Sequence, residues 1–255
     1  MAAHSPVSVA SPASPATSSK PQGMRDRLIV ALDVSSAAEA QQMVQCVGEA
    51  AGIYKVGLQL FINEGPGLVR DLVASRRRVF LDLKLHDIPN TVSHAVKAAA
   101  ELGVYMLTVH ASGGTAMLQA AAEASAGRVN ILAVTVLTSL SVDDLHQVGV
   151  SSEVADQAVR MAALAQSAGC QGIISSPREL IPLRKQVGDN FMIVTPGIRP
   201  AGSETHDQQR IATPGLAIRN GASHIVVGRP ITHAADPAKA AHAIITEMEQ
   251  AKNGK

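Results

Sequence analysis

From residue 28 onward the chain alternates between short apolar runs and longer Ala-rich segments whose apolar positions recur every three or four residues. The runs are rich in Val, Ile and Leu and are nearly continuous in hydrophobicity, as strands buried on both faces must be. They predict strands over 28–33, 53–57, 79–84, 104–110, 130–136, 171–175, 191–195 and 224–228. Helical spacing fills segments between them, notably 36–50, 91–102, 114–124, 154–168, 208–220 and 237–251. "AAELGV", "AQSAGCQG" and "IRNGASH" read as helix exits, where Gly takes the left-handed turn into the next strand.

Strand–helix alternation with apolar strands implies a parallel sheet covered by helices. Eight such units in about 230 residues predict a single-domain (β/α)₈ TIM barrel of eight parallel strands over residues 24–255. A doubly wound open sheet calls for a glycine-rich turn after its first strand. Here that turn is "DVSSAAEA", which has no glycine. Residues 1–23 follow neither pattern. They are dominated by Ser, Pro and Ala and read as a disordered tail, because little in them can be buried to offset ordering entropy. The tail lacks the basic start and apolar stretch of a secretory signal, and its composition is too poor in Arg for a transit peptide.

Polar residues interrupt this pattern at one kind of place. Asp33, Lys55, Asp82 with Lys84, His110, Thr138 with Ser139, Ser175 with Ser176, Arg199 and Arg229 all fall at or just beyond a predicted strand's C-terminal end. In a barrel those ends converge on one face, where active sites form. The densest case is "FLDLKLHDIPNT", residues 80–91, in which Asp82 and Lys84 share one strand face with Phe80, while Leu81 and Leu83 point toward the helices. A structural ion network at the barrel mouth is one reading, but buried ions are expensive and apolar substitutes often serve as well. Alternating Lys55, Asp82, Lys84 and Asp87 instead suit a site of low dielectric where carboxylates hold ammonium groups in place. A fixed ammonium there can stabilise a carbanion and deliver a proton to it, which fits decarboxylation.

Composition narrows the partners. A net charge of +1 and 2% aromatic residues with no Trp argue against nucleic acid. The two cysteines, Cys46 and Cys170, form no metal-ligand spacing or disulfide framework and point to a reducing cytoplasm. No run of about 18 apolar residues suggests a membrane span. His86 and His110 lack a partner at metal-binding spacing, and Lys84 occupies the place a cation would take between the carboxylates, so no metal is expected. Pro196-Gly197 with Arg199, and Gly228 with Arg229, close the last two strands, where barrels often hold a phosphate. A guanidinium fork suits that anion. The polar segment 200–209 between them reads as a loop closing over the phosphate, with the Gln208 amide within reach of it.

These residues carry a resemblance. "FLDLKLHDIPNT" is similar to the DxKxxDIxxT signature of the orotidine 5′-phosphate decarboxylase family, and "ALDV", "YKVGLQLF", "VTVLTS", "VTPGIRP", "DQQR" and "VVGRPIT" extend the likeness from Leu28 to Thr232. The resemblance implies decarboxylation of orotidine 5′-monophosphate to uridine 5′-monophosphate, without cofactor or metal, in pyrimidine biosynthesis. It implies Lys84 as proton donor to C6, Asp82 against the substrate carboxylate, and Lys55 completing the network and touching the ribose. Asp33 would bind ribose hydroxyls, Thr138 and Ser139 would address the pyrimidine, and Arg199, Gln208, Gly228 and Arg229 would hold the phosphate. It further implies a homodimer in which Asp87, Ile88 and Thr91 reach the neighbouring subunit's site. A metal-dependent phosphosugar enzyme on the same barrel, and a barrel that only binds a nucleotide, remain the alternatives.

Overall fold

A computed structural model describes residues 23–200 and 212–253. Eight parallel strands close into a barrel in sequence order. They are β1 (Leu28–Ala31), β2 (Ile53–Gly57), β3 (Arg78–Leu85), β4 (Met106–His110), β5 (Asn130–Val134), β6 (Gly172–Ile174), β7 (Met192–Thr195) and β8 (His224–Val227). Ring closure is made by β1 against β8, with Ile29 opposite Val226. The expected (β/α)₈ architecture is therefore the observed one. Residues 1–22 of the expected tail and the segment 201–211 lie outside the described residues.

Several strands end earlier than their apolar runs suggest. β1, β5, β6 and β8 stop short of Asp33, Val136, Ser175 and Gly228, because the chain leaves the ladder there to turn into the loops of the barrel mouth. The predicted helices appear as Ala37–Val47, Pro89–Glu101, Gly114–Ser125, Val154–Ser167, Pro214–Arg219 and Pro237–Asn253. Their starts obey local chemistry: the Ser36 hydroxyl accepts the Glu39 N–H, and Thr213 accepts the Leu216 N–H. The helix Leu58–Ala74 is an addition to the sequence reading. Gly65 sits inside it at φ 65°, ψ −163°, and Pro66 follows, so two helical pieces meet at a kink and helical periodicity is broken at the join.

Two layers of core fix the barrel. The larger lies between strands and helices and takes the outward-pointing residues, such as Val30, Tyr54, Val79, Leu81 and Leu107. The smaller fills the barrel itself, with Ile29, Ile53, Phe80, Met106, Leu132, Val194 and Val226. Phe80 inside and Leu81 outside is the alternation expected of β3. Branched aliphatics and Met make most of the interior plug, with Phe80 and Tyr105 as its aromatic members. The plug closes the barrel below the site, so chemistry is confined to the C-terminal mouth.

Candidate active site at the C-terminal mouth

Above the plug a cavity of about 460 Å³ opens, a volume suited to a nucleotide-sized ligand. Its floor and one wall are apolar, formed by Phe80, Val134, Ile174 and Val226, whereas Asp33, Lys55, Asp82 and Lys84 line another part and Arg199 and Arg229 a third. Gly228, Gly197 and Thr138 also face it. Seven sequence-predicted site residues that carry charge or a hydroxyl thus meet in one space. Ser139 does not line it and is exposed beside it, and Gln208 lies outside the described residues.

The four charges near β1–β3 form a continuous chain. Lys84 Nζ donates to both Asp82 oxygens at 2.9 Å. Lys55 Nζ stands 3.7 Å from Asp82 Oδ2 and donates to Asp33 Oδ1 at 3.0 Å. The side chains of Lys55 and Asp82 are 12% and 13% exposed against 62% for Asp33, so the network runs from a desolvated centre to a wet rim. Interactions in its inner half are screened least. Gly57 makes the bend of Lys55 feasible: a Cβ there would come within 3.1 Å of Nζ.

The expectation of a regular strand under Lys84 needs correction. Between β3 and β4 the register jumps, from Leu81 opposite Leu107 to Leu85 opposite Val109, so four steps on β3 face two on β4. Lys84 sits in this bulge at φ 52°, the left-handed region that β-branched and long side chains rarely adopt. Its N–H leaves the ladder and is taken up by Thr108 Oγ1 at 2.9 Å. Thr108, wholly buried on β4, in turn donates to Asp82 Oδ1 at 2.9 Å. The sequence reading missed Thr108. The available signal was its place two residues before His110, on the same inward face of β4 as Met106.

His110 follows on that face and packs against His86, with ring centroids 5.5 Å apart and planes tilted by 40°. Burial first, then the neighbouring His86 and Lys84 charges, hold the His110 imidazole below its ordinary range, while Asp82 opposes the shift. Among the described residues no group of three or more His, Cys, Asp or Glu is arranged to hold a metal ion.

The arginine end is built by backbone turns. Gly197, at φ 75°, follows Pro196 and turns the chain back, and Ile198 forms a parallel bridge with Ala212. Arg199 is only 8% exposed. Burial, and secondly the charge of Arg229, lower its pKa from the usual arginine value. Two guanidinium groups held near enough to repel one another favour an anion between them.

Asp87, Ile88 and Thr91 stand apart from this cavity. Asp87 is exposed and accepts the Ile88 N–H at 2.6 Å, just ahead of the helix Pro89–Glu101, and Ile88 is 66% exposed. The chain's own network therefore runs Asp33–Lys55–Asp82–Lys84, without Asp87.

Comparison with known proteins agrees with this geometry. Residues 26–244 match the model of the Orotidine 5′-phosphate decarboxylase / HUMPS family. A relative from Moorella thermoacetica named orotidine 5′-phosphate decarboxylase is 51% identical over 237 residues, covering 89% of this chain and 94% of the relative. A protein of the same name from Sodalis glossinidius is 47% identical over 240 residues, covering 92% and 95%. The crystal structure of orotidine 5′-phosphate decarboxylase from Lactobacillus acidophilus superposes with a TM-score of 0.80 at 39% identity, covering 88% of this chain and 99% of that one.

Proposed function

The chain belongs to the orotidine 5′-phosphate decarboxylase / HUMPS family, and on that premise we propose that it decarboxylates orotidine 5′-monophosphate to uridine 5′-monophosphate and carbon dioxide in pyrimidine biosynthesis. The observation that carries the reading is the pairing of a part-buried Asp82–Lys84 couple with two arginines in one cavity. The arginines and the Gly228 backbone hold the phosphate. The Asp33 carboxylate at the rim and the more buried Lys55 ammonium beside it take the ribose hydroxyls, and Thr138 and the apolar wall take the pyrimidine. This leaves the base carboxylate against Asp82 and C6 near Lys84 Nζ.

The chemistry then follows from the charges. The C6–carboxylate bond breaks heterolytically, its electron pair stays on C6, and the carboxylate leaves as neutral carbon dioxide. Lys84, fixed by Asp82 through two hydrogen bonds, stabilises the developing negative charge and gives C6 its proton. The resulting amine regains a proton from solvent. No step calls for a metal or an organic cofactor. Binding energy from the remote phosphate contributes to orientation at the reacting carbon. Two free cysteines, one of them exposed, suit a cytoplasmic setting.

Asp87, Ile88 and Thr91 are assigned to a neighbouring subunit's site in a homodimer, which explains an exposed Ile and an exposed carboxylate that does not line the chain's own cavity. Mixing inactive Lys84→Ala and inactive Asp87→Ala chains tests this. Activity should return in hybrid dimers, and no recovery after proven subunit exchange would return Asp87 to its own subunit. The function itself is tested by following the ultraviolet absorbance of orotidine monophosphate. Turnover should survive a chelator. Loss with chelator and restoration by magnesium would instead favour a metal-dependent phosphosugar enzyme, and no turnover at all would leave a nucleotide-binding barrel.

A further inference from the structure

We infer that Thr108 is a positioning residue for the proton-transfer step, locking Lys84 and Asp82 into one rigid unit through a single hydroxyl. The inference rests on the decarboxylase reading and deepens it. Three features carry it. Lys84 occupies a left-handed backbone conformation, φ 52°, which nothing in its own side chain favours. The bulge between Leu81 and Leu85 deprives its N–H of a ladder acceptor. Thr108 Oγ1 supplies that acceptor at 2.9 Å and sits 2.9 Å from Asp82 Oδ1.

The directions of these bonds are forced. A backbone N–H can only donate, so the hydroxyl oxygen accepts from Lys84 and its own hydrogen is directed to the carboxylate. Asp82 Oδ1 then receives two bonds, one from Thr108 and one from Lys84 Nζ. Backbone and side chain of Lys84 are thereby tied to the same carboxylate, one through the hydroxyl and one directly. Neither can swing without stretching the other. A donor fixed in this way needs no reorganisation when charge develops at the reacting carbon.

Thr108 is fully buried and does not line the cavity, so it has no route to the substrate except through Asp82 and Lys84. Thr108→Val keeps the shape and removes the hydroxyl, whereas Thr108→Ser keeps the hydroxyl. Loss of one hydrogen bond to a charged group predicts a fall in kcat of about 10- to 100-fold for Thr108→Val, with KM for orotidine monophosphate little changed. Thr108→Ser should keep kcat within about threefold of wild type, a rescue for which packing alone does not account. Deuterium uptake at C6 of uridine monophosphate in heavy water reads the same proton transfer without the carboxylate, and it should slow in parallel in the Val variant. Should the Val protein not fold, Thr108→Ser against Thr108→Ala gives the same contrast. A Val variant with wild-type kcat, or a Ser variant as impaired as Val or Ala, would overturn the inference. Failure of the wild type itself to turn over orotidine monophosphate would instead overturn the reading on which it rests.

Discussion

The two mouths of the barrel carry similar numbers of charged side chains and use them in opposite ways. At the C-terminal mouth, Lys55, Asp82, Lys84, Arg199 and Arg229 all line a cavity. At the N-terminal mouth, the charges are spent on the protein itself. Arg27 donates to the Ala222 and Ser223 carbonyls, Arg184 to the carbonyls of Gly188, Phe191 and Gly221, Arg78 to Asp26, and Arg25 and Arg77 both to Glu49. Below, a guanidinium satisfies carbonyl groups that the loops entering β7 and β8 would otherwise leave unpaired. Above, the ammonium groups of Lys55 and Lys84 are held by carboxylates and, with the arginines, line the cavity. Residue type does not separate structural from functional charge; the partner does.

The contrast predicts that the two mouths fail differently, and the upper one gives the largest effect. On the proposed mechanism, Lys84→Ala removes the ammonium that acts when C6 develops charge. Turnover should fall by at least three orders of magnitude, about 4 kcal/mol of transition-state stabilisation. The thermal midpoint should move little, because Asp82 keeps Thr108 and Lys55 as neighbours. Steady-state kinetics alongside a melting curve checks both halves. Retention of a tenth of the rate would break the assignment, and a collapsed melting temperature would make Lys84 a structural residue like those below.

Arg184→Met is the converse. Its guanidinium makes four hydrogen bonds to three carbonyls and one to the Ser223 hydroxyl, tying the loop after the helix Leu180–Val187 to the loop entering β8. Met keeps much of the stem but strips these groups of their donor. A loss of about 2–4 kcal/mol in denaturant unfolding is expected from leaving partly buried carbonyls unpaired. Turnover at a temperature where the protein stays folded should be unchanged. A large fall in kcat without a fall in stability would mean that the mouths are coupled, contrary to the separation by the apolar plug.

The sequence reveals these mouths unequally. Strand–helix alternation and polar residues at strand ends were enough for the barrel and for most of the upper cavity, because each signal is local: a period, or a charge closing an apolar run. The bulge under Lys84 is a relation between two strands, and nothing in "FLDLKL" announces that β4 advances two residues while β3 advances four. Thr108 is hidden for a related reason, since a β-branched residue in a strand is what propensity expects. Asp87 reads as part of the charge row, yet the row ends at Lys84, and Asp87 is exposed with its carboxylate accepting the Ile88 N–H. The lower mouth was not legible at all. Arg27 and Arg184 lie 157 positions apart in sequence and meet on carbonyls of the same loop, 221–223, so no spacing rule connects them.

The smallest predicted effect concerns the most deeply buried titratable group of the lower mouth. His224 begins β8 with 1% exposure, and among the described residues neither ring nitrogen has a hydrogen-bond partner. Burial first, then the charges of Arg27 and Arg78, push its pKa down to about 3 from an ordinary 6.5, with Asp26 opposing. The folded state therefore binds fewer protons than the unfolded state between these values. The stability is fully present above about pH 6.5 and is lost progressively as pH falls toward about 3. Linkage gives a loss of about 2 kcal/mol between pH 7 and pH 5 from this residue. His224→Phe keeps a ring in the plug and removes the titration, so its unfolding free energy should fall less steeply over that interval. Kinetics at pH 7 should not change. Parallel stability profiles for the two proteins would show that His224 is not the group being titrated. A loss of turnover would show that the lower mouth reaches the upper one through the plug after all.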